Sequence, residues 1–311
     1  MAKVLVTGAA GFIGSHTTDL LLAGGHTVLG LDNFRSGHRR NLAAALRSAA
    51  FRLVEADVAE PGVMAKHVAD FRPEAIIHLA ALVSVQESIS DPALNRRLNV
   101  TATQLVADAA VAHGVKRIVF ASSAAIYGDT TDLLIREETA KQPISPYGEA
   151  KLSSEGILLG LAAAGGLTVR CHRYFNVFGP RQDPASPYSG VISIFERRYR
   201  EGRGVTIFGD GSQTRDFISV HDVARVNVIA ATKSGLVAGA ANICTGRATS
   251  LREVVGIFAQ HYPKVPAPQY AAARAGDIVH SLGRPERAQA ELGFTAQVPV
   301  ADGLAELIRS V

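Results

Sequence analysis

A tyrosine and a lysine four positions apart are the residues of this chain best suited to acid–base chemistry. Tyr147 and Lys151 lie in the segment Ser145-Pro146-Tyr147-Gly148-Glu149-Ala150-Lys151, and on a helix this spacing brings both side chains to one face. A free tyrosine ionises at about pH 10 and is a poor base at neutral pH. A fixed positive charge beside it favours the phenolate and lowers its pKa. The pair therefore predicts a general base on a helix, with Lys151 lowering the pKa of Tyr147.

A glycine-rich turn near the start of the chain predicts a nucleotide-binding site. An apolar run at residues 4–6 is followed directly by Thr7-Gly8-Ala9-Ala10-Gly11-Phe12-Ile13-Gly14 and then by a helical pattern over 15–23. In this arrangement Gly8 makes the tight turn, Gly11 leaves room for a pyrophosphate, and Gly14 allows close packing of helix on strand. The phosphates would lie at the helix N-terminus, where unpaired amides favour negative charge.

The acid that ends the second apolar run predicts which dinucleotide binds. Asp32 comes 18 residues after Gly14. This is close to the spacing of about 20 at which an acid accepts the ribose hydroxyls. Its carboxylate would repel the ribose phosphate of NADP, so NAD is the expected cofactor. Arg35, Arg39 and Arg40 follow closely, and these cations leave the opposite preference open.

Alternating apolar runs and helical patterns position these residues. Further strands are predicted at 51–54, 75–79, 117–120 and 168–171, with helices near 95–113 and 147–164. This rhythm, with strands apolar along their length, predicts an α/β fold with a doubly wound parallel sheet, the Rossmann arrangement. We expect residues 1–175, rejoined by 215–260, to form this domain. Residues 176–214 and 261–311 should form a smaller C-terminal substrate-binding lobe over the carboxyl ends of the strands.

Composition indicates a globular protein and argues against several function classes. The chain has 311 residues, 47% hydrophobic and 19% charged, enough for one large α/β domain and a smaller lobe. A net charge of +4 is too diffuse to predict nucleic-acid binding. Cys171 and Cys244 lack metal-ligand spacing, so we expect reduced core cysteines and no metal site. The N-terminus enters a strand directly, without a signal peptide or a bilayer-spanning apolar run, which predicts a cytoplasmic protein with no membrane partner.

Together the motifs resemble the extended short-chain dehydrogenase/reductase superfamily, and within it the UDP-hexose 4-epimerases of the UDP-galactose 4-epimerase type. The resemblance runs almost from end to end. Besides the glycine turn and the Tyr/Lys pair, it is carried by Asp32-Asn33-Phe34, Asp57-Val58, His78-Leu79-Ala80-Ala81, Ser122-Ser123-Ala124-Ala125-Ile126-Tyr127-Gly128, Arg173-Tyr174-Phe175-Asn176, Arg215-Asp216-Phe217, His221-Asp222-Val223-Ala224 and Arg274-Ala275-Gly276-Asp277.

The resemblance implies an NAD-dependent isomerase that inverts C4 of UDP-glucose or UDP-galactose through a transient 4-keto sugar. In that scheme the Tyr147 phenolate takes the proton of the 4-hydroxyl, while C4 passes a hydride to NAD and later receives it on its other face. Ser123, which follows a predicted strand, matches the family serine or threonine that hydrogen-bonds the 4-hydroxyl and relays the proton. Lys151 lowers the pKa of Tyr147 and hydrogen-bonds the nicotinamide ribose. The implied catalytic residues are Ser123, Tyr147 and Lys151.

The resemblance also implies two sets of binding residues. Those expected to contact NAD are Gly8, Gly11, Phe12, Ile13, Gly14, Asp32, Asn33, Asp57, Val58, Leu79, Ala80, Ala81, Asn99, Tyr147 and Lys151. Those expected to contact the UDP-sugar are Ser84, Ser123, Asn176, Arg215, Arg274, Asp277 and Ser281. The two arginines suit the diphosphate, because a guanidinium fork matches phosphate oxygens. The acid of the second set suits the uridine ribose.

Three other functions use a similar scaffold. A nucleotide-sugar 4,6-dehydratase needs two acids directly after the Ser123 position, where this chain has Ala124 and Ala125, so that function is disfavoured. A UDP-glucuronate 4-epimerase or decarboxylase stays open, because Arg181 and Gln182 could receive a carboxylate. A non-catalytic dinucleotide-binding sensor or scaffold is the alternative of another class, and the retained catalytic residues argue against it.

A finer expectation concerns the sugar. Family members restricted to plain hexoses resemble one another in having a bulky tyrosine at the Ser281 position. Serine there predicts room for N-acetylated hexoses, and the segment at 181–184 with Tyr188 also resembles the N-acetylhexosamine branch. Val83 could refill that space.

A homodimer is also expected, through two apolar stripes on neighbouring helices. One stripe consists of Leu98, Leu105, Val106 and Ala109, and the other of Leu152, Ile157, Leu158 and Leu161. Either stripe could instead face the sheet.

Overall fold

The computed structural model describes residues 1–183, 190–273 and 280–310. Its strands in chain order are β1 (Lys3–Thr7), β2 (Thr27–Asp32), β3 (Phe51–Glu55), β4 (Ala75–His78), β5 (Arg117–Ser123), β6 (Thr168–Tyr174), β7 (Asn176–Phe178), β8 (Thr206–Phe208), β9 (Thr214–Arg215), β10 (Phe217–Ser219), β11 (Gly239–Ile243), β12 (Thr249–Ser250), β13 (Gln269–Ala271) and β14 (His280–Ser281). Its helices are α1 (Phe12–Ala23), α2 (Val63–Phe71), α3 (Val85–Ser90), α4 (Pro92–Asn95), α5 (Ala102–Ala112), α6 (Pro146–Ala163), α7 (Val191–Arg200), α8 (Val220–Thr232), α9 (Leu251–His261) and α10 (Val300–Arg309). Short 3-10 or π-helical turns occupy Arg39–Leu42, Ala45–Arg47, Arg96–Thr101, Ala124–Tyr127 and Ala288–Leu292. Within these described ranges no helix is long and apolar enough to cross a membrane.

Seven parallel strands form the central sheet, in the order β11-β6-β5-β4-β1-β2-β3. Helices cover both faces, with α1 and α8 on one side and α2, α5 and α6 on the other. The strands are apolar along their length for this reason: Val4 and Val6 pack towards α1 and α8, while Leu5 packs towards α2 and α5. The predicted doubly wound parallel sheet is confirmed. Its strand order reverses beside β1, and open α/β sheets bind ligands at such a switch point.

A second, smaller core lies in the C-terminal half and is built from α7, α9, α10, β8 and β10. α8 packs on the main sheet, and β11 is the edge strand of that sheet. α9 also falls in the range 215–260, yet its Phe258 packs in the second core with Leu304 of α10. Conversely, Ala288 and Phe294 pack on the main sheet although they follow position 261. The packing of these elements is decided by contacts between distant segments, and the domain boundaries given above stay a prediction.

The two apolar stripes expected at a dimer interface are largely used inside this chain. Four of their residues are buried between the sheet and its covering helices: Leu98, Val106, Ala109 and Leu158. Ile157 and Leu161 pack against the same core while remaining partly exposed. These residues therefore face the sheet, which is the second of the two arrangements considered for the stripes.

Close packing of α1 on the turn after β1 gives a testable stability effect at Gly14. An added Cβ at Gly14 would lie 1.9 Å from the carbonyl oxygen of Gly8, so backbone would have to move. We expect Gly14→Ala to lower the free energy of unfolding by about 1–3 kcal/mol or more, as overpacking does. Gly256→Ala is the matched control in α9, where a new Cβ meets nothing within 4 Å. That control should stabilise the protein by about 0.5–1 kcal/mol. Denaturant titration of both variants measures the difference, and equal stabilities would contradict the close contact.

Candidate active site

A cleft of about 1180 Å³ opens along the carboxyl edge of the central sheet. Its wall contains most of the predicted site residues: Gly8, Gly11, Phe12, Ile13, Gly14, Asp32, Asn33, Asp57, Val58, Leu79, Ala80, Ala81, Ser84, Ser123, Tyr147, Lys151, Asn176, Arg215 and Ser281. Asn99 is not in this wall, and Arg274 and Asp277 lie outside the described residues. The fold thus brings motifs from distant parts of the chain around one space.

The glycine turn forms one end of the cleft and fits a dinucleotide pyrophosphate. Gly8 has a φ of +70°, in the left-handed region that favours glycine, and its N–H donates to the Leu31 carbonyl at 2.8 Å. α1 then begins at Phe12 with no side-chain cap at Gly11 and no acidic residue in its first turn. The first-turn amides have no partner within the helix and border the open cleft, where they could donate to phosphate oxygens.

Asp32 ends β2 beside this turn. Its two carboxylate oxygens accept the N–H groups of Ala10 and Phe34, each at 2.8 Å. Burial raises the pKa of Asp32, and these backbone donors partly offset the effect. Each oxygen keeps a further lone pair, which can accept a ribose hydroxyl. The carboxylate is thus fixed in place without using its full hydrogen-bonding capacity.

The arginines after Asp32 are placed so that they do not oppose NAD binding. Arg35 lines the cleft but forms an ion pair with Glu87. Arg39 and Arg40 are exposed and are not part of the cleft wall. This arrangement leaves Asp32 as the charged group beside the expected ribose position and favours NAD over NADP.

Two other predicted cofactor residues are engaged with the protein itself. Asp57 accepts the Ala59 N–H at 2.9 Å and pairs with an Arg97 Nη at 3.0 Å, while still bordering the cleft. Asn99 lies in the π-helical turn before α5, where its Nδ2 donates to the Leu82 carbonyl at 3.0 Å. Asn99 therefore supports the loop after β4 from behind, and its predicted contact with NAD has no direct support in this position.

The start of α6 is held tightly against the end of β5. Ser145 caps the helix, with its Oγ accepting the Gly148 N–H at 3.2 Å, and Pro146 occupies the first turn. A Cβ on Gly148 would lie 2.7 Å from the Ala125 carbonyl oxygen, so glycine permits this approach. The first turn of α6 is thereby placed next to the residues that follow β5.

This docking brings the three predicted catalytic residues together. Tyr147 and Ser123, which ends β5, both line the cleft, and interaction with the Ser123 side chain lowers the pKa of the Tyr147 hydroxyl. Lys151 Nζ donates to the Ala121 carbonyl at 2.8 Å and lies 4.9 Å from the centre of the Phe120 ring. The same ammonium is 5.8 Å from the centre of the Tyr147 ring. The expected sharing of one helix face by tyrosine and lysine is found in the structure.

The pKa of Tyr147 is shifted in the direction opposite to the expectation. Burial raises this pKa, and the interaction with Ser123 opposes the rise only in part. Burial also lowers the pKa of Lys151 to about 7, although the Glu155 carboxylate raises it. Burial therefore opposes the charged form of Lys151, and this lysine does not by itself make Tyr147 a strong base. The four-residue spacing reveals the pair but not the depth of burial, which penalises both charged forms.

A buried ion pair behind Lys151 escaped sequence reasoning. Glu155 follows Lys151 by four residues and accepts two hydrogen bonds from Arg173, at 3.0 and 2.8 Å. Arg173 also donates to the Tyr127 hydroxyl at 2.9 Å, and that hydroxyl donates to Asn242 at 2.6 Å. Burial raises the pKa of Tyr127 to about 12, so it is not a second base. Glu155 continues the spacing of the Tyr/Lys pair along α6, and this signal could have identified it.

The opposite wall of the cleft is formed by the predicted substrate residues. β14 pairs with β9 so that Ser281 lies beside Arg215. Asn176 begins β7, and its Nδ2 donates to the Asp216 carbonyl at 3.4 Å. Ser84 lies in the wall near Tyr147, where its Oγ caps α3. A ligand between the two walls would contact both the main sheet and the lobe.

Sequence comparison identifies relatives along the whole chain. The sequence profile of the NAD dependent epimerase/dehydratase family matches residues 4–244. A UDP-glucose 4-epimerase from Mycolicibacterium smegmatis is 39% identical over 310 residues, which cover 98% of this chain and 97% of that protein.

Solved structures show the same extent of likeness. The UDP-glucose 4-epimerase of Thermotoga maritima, solved with UDP-glucose, has a TM-score of 0.91 at 35% identity and covers 99% of this chain and 98% of its own. The UDP-N-acetylglucosamine 4-epimerase of Methanobrevibacter ruminantium, in complex with UDP-N-acetylmuramic acid, has a TM-score of 0.93 at 32% identity. That alignment covers 99% of this chain and 97% of the other. The likeness therefore includes the lobe as well as the sheet domain.

The buried Glu155 should set the charge on Lys151. Glu155→Gln removes the carboxylate that raises the pKa of Lys151, so in cofactor-free protein that pKa should fall below its value of about 7. NMR titration of isotope-labelled lysine side chains measures it, with the signal assigned by its loss in Lys151→Met. Glu196→Gln is the matched control, because Glu196 is also buried and ion-paired, with Arg200 in the lobe. An unchanged Lys151 titration in Glu155→Gln would contradict the coupling.

Proposed function

Because this chain belongs to the NAD dependent epimerase/dehydratase family, we propose that it is an isomerase, a UDP-hexose 4-epimerase that interconverts UDP-glucose and UDP-galactose. The observation that carries the proposal is the meeting of Ser123, Tyr147 and Lys151 in the cleft that also contains Asp32 and the glycine turn. Full-length relatives named as UDP-glucose 4-epimerases support it. NAD as the cofactor agrees with the NAD dependence of the family and with the fit of the glycine turn to a dinucleotide.

The residues of this chain handle the proton of the sugar hydroxyl. Ser123 lines the cleft with Tyr147, so its hydroxyl can accept a hydrogen bond from the 4-hydroxyl and pass a proton to the phenolate. Loss of this proton from the 4-oxygen and of a hydride from C4 gives a 4-keto sugar. Return of the hydride to the opposite face of C4, and of the proton to the oxygen, gives the epimer. When bound, NAD supplies the hydride acceptor and a positively charged ring.

Ionisation of Tyr147 is the step that needs electrostatic help. Burial makes neutral phenol the preferred state, and lowering its pKa from about 10 to about 7 would take about 4 kcal/mol of favourable charge interaction. Lys151 contributes through its fixed position, since its bond to Ala121 holds the ammonium near the tyrosine ring. Weak screening in a buried site makes that charge count for more than it would at the surface.

The nucleotide part of the substrate is assigned to the lobe side of the cleft. Asn176 and Arg215 line that side and can donate to a diphosphate. Arg274 and Asp277 fall outside the described residues, so their roles at the diphosphate and the uridine ribose stay predictions.

A uronic acid substrate is less well supported than a neutral hexose. Arg181 lines the cleft, but its Nη2 lies 2.7 Å from a carboxylate oxygen of Asp19 in α1. This ion pair engages the Nη2 side of the guanidinium, while Nη1 has no hydrogen-bond partner among the described residues. The non-catalytic alternative is likewise disfavoured, because a binding module has no need to gather Ser123, Tyr147 and Lys151.

The proposal extends to N-acetylated hexoses. Ser281 lies in the cleft wall, where a small side chain leaves space beside the substrate. Val83 is also in the wall and is 62% exposed, so it too borders the space available to the sugar. We assign the room for an acetamido group to Ser281.

The proposal also includes a homodimer and a cytoplasmic location. With Leu98, Val106, Ala109 and Leu158 buried inside the chain, a dimer would have to use the outer side chains of α5 and α6. Sedimentation of the purified protein decides between dimer and monomer.

Removal of the Tyr147 hydroxyl tests the assigned reaction. Tyr147→Phe should lower the rate of UDP-galactose formation from UDP-glucose by roughly 10²–10⁴-fold or more, because the proton acceptor is lost. Ser123→Ala should lower this rate by a smaller factor, since Tyr147 can still reach the substrate. Denatured Tyr147→Phe protein should release as much NAD as wild type, which separates loss of chemistry from loss of cofactor. Tyr270→Phe removes a hydroxyl from an exposed lobe tyrosine and should be neutral. Wild-type turnover in Tyr147→Phe would refute the mechanism.

Filling the space at Ser281 tests the sugar range. Wild type should epimerise UDP-N-acetylglucosamine as well as UDP-glucose. Ser281→Tyr should abolish the first reaction and keep the second, because only the N-acetylated sugar needs the extra volume. Ser212→Tyr adds the same bulk at an exposed turn outside the cleft wall and serves as the control. Equal losses on both sugars in Ser281→Tyr would defeat this assignment.

A further inference from the structure

Asp216 is a fully buried carboxylate that the proposed reaction does not use. It lies between β9 and β10, at 0% exposure. Its Oδ1 accepts hydrogen bonds from the backbone N–H and the hydroxyl of Thr245, both at 2.7 Å. Its Oδ2 accepts from the Gly246 N–H at 2.9 Å and the Gly283 N–H at 3.3 Å. One side chain therefore joins the segment after β11 to the segment after β14.

The backbone of the same residue holds two of the predicted substrate residues. The Asp216 N–H donates to the Ser281 carbonyl at 2.9 Å, and the Asp216 carbonyl accepts the Asn176 N–H at 3.0 Å. Arg215 directly precedes it in the chain. Asn176, Arg215 and Ser281 all line the cleft. Asp216 is thus bonded to, or adjacent to, each residue of the lobe-side wall that the structure describes among the predicted substrate contacts.

The segments joined by the carboxylate are packed with little space between them. A Cβ on Gly283 would lie 2.7 Å from the Cys244 sulfur and 2.7 Å from the Phe175 ring. Gly246 has a φ of +71°, which favours glycine. The backbone at Gly246 and Gly283 can therefore approach Asp216 closely, and the Asp216 carboxylate accepts the N–H group of each.

The chemistry of this arrangement requires a carboxylate. Burying a negative charge is costly unless hydrogen bonds compensate it, and here four bonds do so. An asparagine has the same shape, but one of its two terminal groups is an NH₂, which donates hydrogen bonds and cannot accept them. That NH₂ group would face N–H donors on one side of the site. At least one backbone segment would then lose its hydrogen bond to the side chain at position 216.

We propose that Asp216 is a positioning residue that sets the substrate-binding edge formed by Asn176, Arg215 and Ser281. This inference rests on the proposed nucleotide-sugar function of the same cleft. Asp216 is hydrogen-bonded to the elements that carry the binding groups, and none of its hydrogen bonds in the described residues goes to Ser123, Tyr147 or Lys151. Its loss should therefore weaken substrate binding and leave the chemical step and the NAD site largely intact.

The test compares substrate binding with turnover in Asp216→Asn. In NAD-loaded protein, UDP affinity measured by calorimetry and the KM for UDP-glucose should each worsen by about tenfold or more, the effect of losing a buried hydrogen bond to a charged group. kcat and the NAD content should change little. A purely structural role would instead lower the melting temperature without separating KM from kcat.

Asp222→Asn is the matched control. Asp222 is also buried and accepts the Gln297 and Val298 N–H groups at 3.0 Å, but it is not part of the cleft wall. It should destabilise the protein to a similar degree with an unchanged KM. Thr245→Val removes the hydroxyl donor to Asp216, together with the acceptor of the Arg247 N–H, and leaves the other three bonds to the carboxylate. It should shift KM in the same direction by less, and it decides the matter if Asp216→Asn does not fold. Unchanged UDP affinity in the folded variants would overturn the positioning role, whereas wild-type protein that binds no UDP would overturn the proposed function itself.

Discussion

The docking of α6 on the carboxyl end of β5 is the contact on which the site depends. The four-residue spacing puts Tyr147 and Lys151 on one helix face, but the spacing does not determine the direction in which that face points. Two contacts at the start of the helix fix this direction: Lys151 Nζ bonds to the Ala121 carbonyl, and Gly148 approaches the turn after β5 closely. The pairing of Glu155 with Arg173 on β6 fixes it further along the helix. The parallel sheet then places the glycine turn and Asp32 along the same edge, so one cleft serves cofactor and substrate.

Burial supplies this geometry and at the same time opposes every charge in the site. The structure compensates three buried carboxylates in different ways. Asp32 receives backbone N–H groups, Glu155 receives the Arg173 guanidinium, and Asp216 receives four hydrogen bonds. Lys151 is compensated least: a carbonyl oxygen, an aromatic ring and the already paired Glu155 leave its pKa lowered to about 7. Burial therefore opposes the charged form of both Tyr147 and Lys151, and a further positive charge near the tyrosine hydroxyl would favour the phenolate.

Features that depend on residues close together in the sequence could be predicted, and features that depend on contacts between distant segments could not. The glycine turn, Asp32 and the Tyr/Lys spacing are local patterns tied to one helix or one strand end, and the central sheet follows from the alternation of elements. The place of α9 in the second core, the anchoring by Asp216 and the pairing of Glu155 with Arg173 join segments far apart in the chain. The raised pKa of Tyr147 belongs to the second group, because burial depends on the whole fold. Asp216 stands inside a motif quoted for the resemblance, yet no local pattern shows that its side chain faces inward.

The most direct test of the account is the pKa of Tyr147 itself, followed by NMR of isotope-labelled tyrosine and assigned by the loss of its signal in Tyr147→Phe. In cofactor-free protein Tyr147 should titrate above the ordinary value of 10.0, because burial dominates. In NAD-loaded protein it should titrate below that value, and Lys151→Met should reverse this lowering. A Tyr147 that remains above its ordinary pKa in the loaded, active protein, or that titrates identically with and without Lys151, would contradict the claim that charge in this cleft makes the tyrosine a base.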